Sequence, residues 1–276
     1  MEKKLLPTAA FLGCVLVTLC TQRRKKKKRR SRGGGEEAPC VPSSKGADTP
    51  TDCGDCSLTD SAPKVDRHLI LCGMASDTDW PKKIEKEQGS FASALSSALA
   101  GANTSSTSLS IKMTACNEPN SRAEYCDIIV YPEMLRFCVP LHDPSCITSF
   151  AEFVSLPCLS STLPRAVTLS PLPLPGDTLL LVCTHGNRDK RCGRAGPIVL
   201  AALKEELEAR GVPDSVVAVR ATSHIGGHRY AGTLIVYPQG QWYGFMTKKT
   251  VKPLLDQVLA GGVLQKCFRG LGNPSW

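Results

Sequence analysis

Two stretches of the chain carry short apolar runs that end in cysteine: RHLILCG at residues 67–73 and DTLLLVCTHG at residues 177–186. Apolar runs of this length without alternation predict strands buried on both faces. After the first come a helical run, SFASALSSALAGA, and a strand-like TSLSIKM. CDIIVYPEMLRFCVPL then predicts two strands about a tight turn. After the second, GPIVLAALKEELEARG predicts a helix that opens at Gly196 and Pro197 and stops at Gly211, the usual asymmetry of helix ends. SVVAVRA predicts a strand, GTLIVYPQGQWYGFMT a second paired-strand unit, and TKKTVKPLLDQVLAGG a closing amphipathic helix.

The two halves therefore repeat one pattern. Ile-Val-Tyr-Pro recurs at 129–132 and 235–238, and Cys72 and Cys183 end equivalent strands. The order β-α-β-β-β-α predicts an α/β fold of two thioredoxin-like domains in tandem, at about residues 65–158 and 172–270. The halves differ where chemistry would sit. Pro81 stands nine residues after Cys72, and the first half has no histidine pair, so it is expected to be a degenerate scaffold.

A length of 276 residues allows one large domain or two small ones. The formal charge of +9 is local: residues 1–32 hold eleven Lys or Arg and one Glu, a net of +10, which leaves −1 for the rest. A nucleic-acid footprint would spread basic residues over a folded face, so nucleic acid is excluded as a partner. Fourteen cysteines in so long and aliphatic a chain do not read as a disulfide scaffold. A reducing compartment is expected, with cysteines such as Cys138, Cys158 and Cys267 acting as small buried hydrophobes.

Residues 5–22 are uncharged and are followed by RRKKKKRRSR. A helix of that length reaches about 27 Å, enough for a thin bilayer, and the basic cluster is expected to stay on the cytosolic side. Residues 1–32 are thus read as an N-terminal membrane anchor, with a mitochondrial presequence as the alternative. Residues 33–64 have the Gly, Pro, Ser and Asp content of a flexible linker. Cys53 and Cys56 form a CxxC there, either a redox dithiol or half of a zinc site, although a polar linker is the wrong setting for a thioredoxin-type motif. Asn103-Thr104-Ser105 matches a glycosylation acceptor, which has no bearing on a chain facing the cytosol.

The candidate chemistry lies in the second half. Cys183 and Cys192 flank a basic loop, and SHIGGHRYAG places His224 and His228 around a glycine pair. In the predicted topology Cys183 ends a strand, Cys192 precedes the helix, and the histidine loop returns beside that helix end. Gly226 and Gly227 predict a tight loop rather than a helical HxxxH. Two thiolates and two imidazoles suit a structural zinc, although zinc knuckles usually space their cysteines two to four residues apart. They also suit a [2Fe–2S] cluster, although Rieske loops each pair a cysteine with a histidine.

These residues resemble the sucrase/ferredoxin-like proteins. CTHGNRDKRCG, Gly196–Pro197, SHIGGHRYAG with a Tyr-Pro after it and, more weakly, CDIIVYP carry the resemblance, over roughly residues 65–276. The resemblance implies a thioredoxin-like ferredoxin with a non-Rieske [2Fe–2S] cluster on Cys183, Cys192, His224 and His228. It implies one-electron transfer with a redox partner protein rather than enzymatic catalysis. His185, Arg188 and Asp189 are then candidates for orienting the ligands or tuning their potential. No carboxylate pair is placed for glycoside hydrolysis. The N-terminal segment lies outside the family pattern. The competing expectations are a structural zinc-binding adaptor and a thiol–disulfide oxidoreductase using Cys53 and Cys56. In the tail, residues 271–276, Ser275 and Trp276 resemble the signal that recruits the cytosolic iron–sulfur assembly machinery, with Pro274 where an aliphatic residue is usual.

Overall fold

Both cysteine-ended runs are buried strands. The computed structural model describes residues 58–74, 80–102 and 109–274. In the first half, strand β1 (Arg67–Leu71) leads to helix α1 (Phe91–Ala102), then to β2 (Ile111–Ala115), β3 (Tyr125–Tyr131) and β4 (Leu135–Pro140). Helix α2 (Pro144–Ser155) and the short β5 (Thr168–Leu169) complete it. The second half runs β6 (Thr178–Cys183), α3 (Lys190–Ala209), β7 (Val217–Thr222), β8 (Leu234–Tyr237) and β9 (Gln241–Tyr243). Helix α4 (Lys248–Leu259) and β10 (Phe268–Leu271) end it. The expected β-α-β-β-β-α order is present in each half, and each adds one strand that the pattern did not predict.

The sheets have matching orders, β2-β1-β3-β4-β5 and β10-β9-β8-β6-β7. In each, the first strand pairs in parallel with the second and antiparallel with the third. Register makes the correspondence exact in residues: His68 lies opposite Tyr131, as Leu179 lies opposite Tyr237. Counting forward along each strand then equates Cys72 with Cys183.

One face of each sheet contributes to a shared core. Ile70, Cys72, Ile129 and Tyr131 share one buried cluster with Leu181, Cys183, Ile235, Tyr237 and Trp242. Tyr131 and Tyr237, from the repeated tetrapeptide, stack with centroids 3.9 Å apart and planes 12° apart. The other face of the second sheet packs Leu180 and Val182 against Val199 and Leu203 of α3 and Val251 and Leu254 of α4. Burial on both faces is the reason the strands are apolar throughout rather than alternating.

The sheets also meet end to end. Cys116 and Thr222 form an antiparallel bridge, flanked by Ser223 N to Ala115 O at 2.8 Å and Asn117 N to Ala221 O at 3.3 Å. The side chains repeat this pairing. Ser223 Oγ accepts from Ala115 N and Asn117 Oδ1 from Ala221 N, each at 3.0 Å. This joint fixes the backbone immediately before His224.

Several expectations are corrected. Helix α3 begins at Lys190, not at Gly196–Pro197. Asp189 caps it by accepting the Arg191 N–H at 2.9 Å, and this supplies an earlier start than the glycine–proline pair. Helix α2, which the expected order requires but no predicted segment supplies, starts at Asp143 and Pro144, a strong start signal, with the Asp143 carboxylate accepting from Ser145 N and Cys146 N. Cys138 and Cys267 are buried as expected, whereas Cys158 is exposed and disulfide-bonded. Residues 58–64, expected as the end of a linker, are tied to the last strand: Ala62 is buried and its N–H donates to Arg269 O at 3.1 Å.

The expected anchor at residues 1–32, the CxxC of Cys53 and Cys56, the Asn103-Thr104-Ser105 acceptor and the Ser275–Trp276 signal lie outside the described residues. Among the described residues no helix is long and apolar enough to cross a membrane. Residues 56–157 and 163–276, which include both sheets, form one compact unit; of the other unit, 1–55 with 158–162, only 158–162 are described.

Candidate metal centre

Strand β6 delivers Cys183 at its C-terminal end, fully buried. The loop 184–189 then turns the chain, and Asp189 starts α3 so that Cys192 falls within its first turn rather than ahead of it. The approach is close because residue 196 is glycine. A Cβ there would lie 2.1 Å from the Cys183 carbonyl oxygen, so a side chain would drive the helix off the strand.

His224 follows the joint between the sheets. Its backbone N–H donates to His185 Nδ1 at 3.1 Å, and His185 Nε2 lies 3.3 Å from Trp80 O. The Trp80 carbonyl also accepts from Asn187 Nδ2 at 3.0 Å. Gly226 and Gly227 have φ of +102° and +75° and make the predicted tight loop, which ends in a single 3₁₀ turn at His228–Tyr230. Gly227 is also a place of close approach, since a Cβ would lie 2.4 Å from Nη2 of Arg269.

Cys183 Sγ, Cys192 Sγ and one ring nitrogen of His224 lie within 4.8 Å of one another. His228 stands at the rim. Its ring centroid is 5.7 Å from that of His224, its Nδ1 is 4.0 Å from Asp189 Oδ2, and its side chain is 52% exposed. Of the other residues singled out, His185 is buried against the His224 backbone and Asp189 is the helix cap. Arg188 lines a cavity beside the site.

The electrostatics divide the two thiols. A hydrogen bond with Cys192, then His224 and the Ile225 N–H, holds the Cys183 thiol well below its ordinary pKa against the opposing effect of burial. The same bond, followed by burial, pushes Cys192 up, so Cys183 is the favoured thiolate of the two. Burial lowers the pKa of His185 and keeps its ring neutral. Arg191, doubly bonded to Asp189, brings that carboxyl down to about 2.

These residues fit a metal group. Nδ1 of His224 is buried and has no hydrogen-bond partner among the described residues. An unpaired buried nitrogen costs about 1–3 kcal/mol, which coordination would offset. Soft thiolates with imidazole select zinc or iron–sulfur centres over hard cations.

Arg269 of β10 is a site residue that the sequence reading missed. Its buried guanidinium donates to Ser61 O at 2.7 Å and lies over the Tyr230 ring at 4.7 Å, beneath the histidine loop. Burial brings its pKa down to about 10. No local signal in CFRGLG marks it, because its partners are distant in sequence.

The sequence profile of the sucrase/ferredoxin-like proteins matches residues 58–270. The chain belongs to the sucrase/ferredoxin-like family. The relatives it resembles include altered inheritance of mitochondria protein 32 of Clavispora lusitaniae, 26% identical over 265 residues, covering 85% of this chain and 89% of that protein. The protein of the same name from Debaryomyces hansenii is 39% identical over 101 residues, covering 34% of this chain and 36% of its own length. The match thus spans about a third of that relative. Among solved structures, a thioredoxin-like [2Fe–2S] ferredoxin from Aquifex aeolicus aligns with 36% of this chain and 96% of its own, at 19% identity and a TM-score of 0.33.

Proposed function

We propose that this member of the sucrase/ferredoxin-like family is an electron-transfer protein with one [2Fe–2S] cluster, held by Cys183, Cys192, His224 and His228 in the second of two thioredoxin-like units. One observation carries the reading: the sulfurs of two buried cysteines and a ring nitrogen of His224 lie within 4.8 Å of one another. When bound, such a cluster supplies one-electron transfer, and imidazole ligands raise its potential relative to thiolates.

The chain's own residues prepare the site. Cys183 is set on an interior strand and biased towards thiolate. His185 and the Ser223 joint fix the backbone of His224, while Arg269 supports the loop that brings His228 round. His228, half exposed, puts one edge of the site at the surface, where a redox partner protein has access. The first half keeps Cys72 at the position of Cys183 but has no histidine loop, and it serves as the packing partner of the second.

Anaerobic purification followed by iron, sulfide and zinc analysis tests the assignment. Two irons and two sulfides per chain are expected. One zinc without iron would establish the structural-adaptor reading instead. Residues 1–32 are proposed to tether the protein to a membrane with its body in the cytosol. The mitochondrial alternative draws support from the relatives' name. Fractionation of cells expressing the full chain and a chain lacking residues 1–32 separates the two.

A further inference from the structure

Beside the cysteine–histidine site lies a cavity of about 420 Å³. Among the described residues Lys64, Lys82, Lys83, Lys112 and Arg188 line it, against Glu85 as the single carboxylate. Ser223 and His224 also face it, so it adjoins the proposed metal centre. Among the described lining residues five cations and one anion give +4, although the chain beyond residue 32 carries a net −1. The concentration is therefore a property of this place and not of the surface at large.

Lys112 decides what kind of anion fits. Lys64, Lys82 and Lys83 are exposed, but Lys112 is half-buried on β2. Its Nζ lies 5.9 Å from the centroid of the Trp242 ring, a contact that stabilises a cation without neutralising it. Cys183 and Glu85 act on it only through space, with no hydrogen bond to either among the described residues. Burial brings its pKa down to about 8, and the opposing effects of Cys183 and Glu85 do not restore it. A partly desolvated charge with no hydrogen-bonded anion is costly, and an anion that enters the cavity relieves that cost. The volume falls in the range of small-molecule sites, while the charged lining disfavours an apolar ligand. Lysine ammonium groups with one guanidinium fork are the donor set that binds phosphate oxygens.

We infer that this cavity is a binding site for a small polyanion of the phosphate class, seated against His224. An acidic segment of a partner protein would meet the exposed rim lysines but has less use for a cation recessed beneath them. A compact ligand reaches both.

Calorimetric titration of the full chain with inorganic pyrophosphate tests the site. Saturable one-site binding at low salt, weakened at high salt, is expected. Lys112→Met and Arg188→Gln should each weaken it about tenfold. Lys252→Gln, an exposed lysine of α4, should leave it unchanged. The double variant Lys82→Gln/Lys83→Gln alters only exposed side chains, and its weaker binding supports the site even if Lys112→Met fails to fold. Absence of saturable heat, or equal loss in the Lys252 variant, overturns the proposal. So does saturation by poly-L-glutamate but not by pyrophosphate, which would make the face a protein-docking surface. Iron content is read separately. Iron-free protein that binds pyrophosphate through Lys112 sinks the cluster and leaves the anion site, and iron-replete protein that ignores pyrophosphate does the reverse.

Discussion

His185 Nδ1 accepts the backbone N–H of His224 at 3.1 Å, so one histidine holds the main chain from which the other projects. The opposite nitrogen of His185 faces the Trp80 carbonyl, which places its proton on Nε2. His185 is thus a positioning residue. His185→Leu should leave the His224 N–H buried and unpaired, at about 1–3 kcal/mol of stability. Iron content should fall with it. His185→Gln restores an acceptor and should recover part of both. Denaturant unfolding and iron analysis check this, and unchanged stability and iron in the leucine variant would remove the role.

The equivalence of Cys72 and Cys183 separates function from ancestry. Both are buried at the same strand end, but only Cys183 meets a second cysteine and a histidine at metal-ligand range among the described residues. Cys183→Ser and Cys192→Ser should lose nearly all visible absorbance. Cys72→Ser should retain it. A Cys72 variant as colourless as the other two would place the centre elsewhere.

Gly196→Ala sets two effects against each other. Alanine in a helix gains about 1 kcal/mol over glycine. Here its Cβ would lie 2.1 Å from the Cys183 carbonyl oxygen and 2.9 Å from Thr184 Cα, both backbone atoms that cannot swing away. Overpacking of this kind costs about 1–3 kcal/mol, so destabilisation wins. The displaced helix carries Cys192 with it, and iron occupancy should drop as well. A melting temperature at or above that of the parent chain would contradict the close packing.

Stability should depend on acid through two histidines. His68 is fully buried, with Nδ1 2.6 Å from Tyr237 Oη and Nε2 2.8 Å from Thr114 Oγ1. Burial, then Lys112, lowers its pKa, and burial lowers that of His185. Below the unfolded value of 6.5 the unfolded chain takes up protons that the folded chain refuses. The contribution is therefore full above that pH and is lost as pH falls below it, by up to about 1.4 kcal/mol per pH unit for each histidine. Urea unfolding across this range should show the slope, and His68→Gln should reduce it. An identical slope in the variant would mean that His68 stays charged in the fold.

Much of the molecule was legible because its signals are local. Apolar runs of strand length gave β1 and β6, Gly211 ended α3, and the glycine pair announced the tight loop before His228. The repeated Ile-Val-Tyr-Pro disclosed two halves of one pattern, and the cysteines and histidines stood out by type and spacing. The start of α3 differs from the expected one because a glycine–proline pair and an aspartate cap compete, and Asp189 satisfies the Arg191 N–H of the earlier first turn.

Tertiary structure decided what distance along the chain conceals. Nothing near Tyr131 says that it stacks on Tyr237, and nothing near Ser223 says that it bonds to Ala115. Arg269 supports the histidine loop from the last strand, and Lys112 enters the cavity from the other half of the protein. His224 lies in the donor cluster while His228 stays at the rim, although sequence treats them alike. Periodicity and capping act over a few residues and can be read from the sequence. Burial, desolvation and the meeting of donors depend on which distant segments share a volume, and that is settled only when the sheets pack.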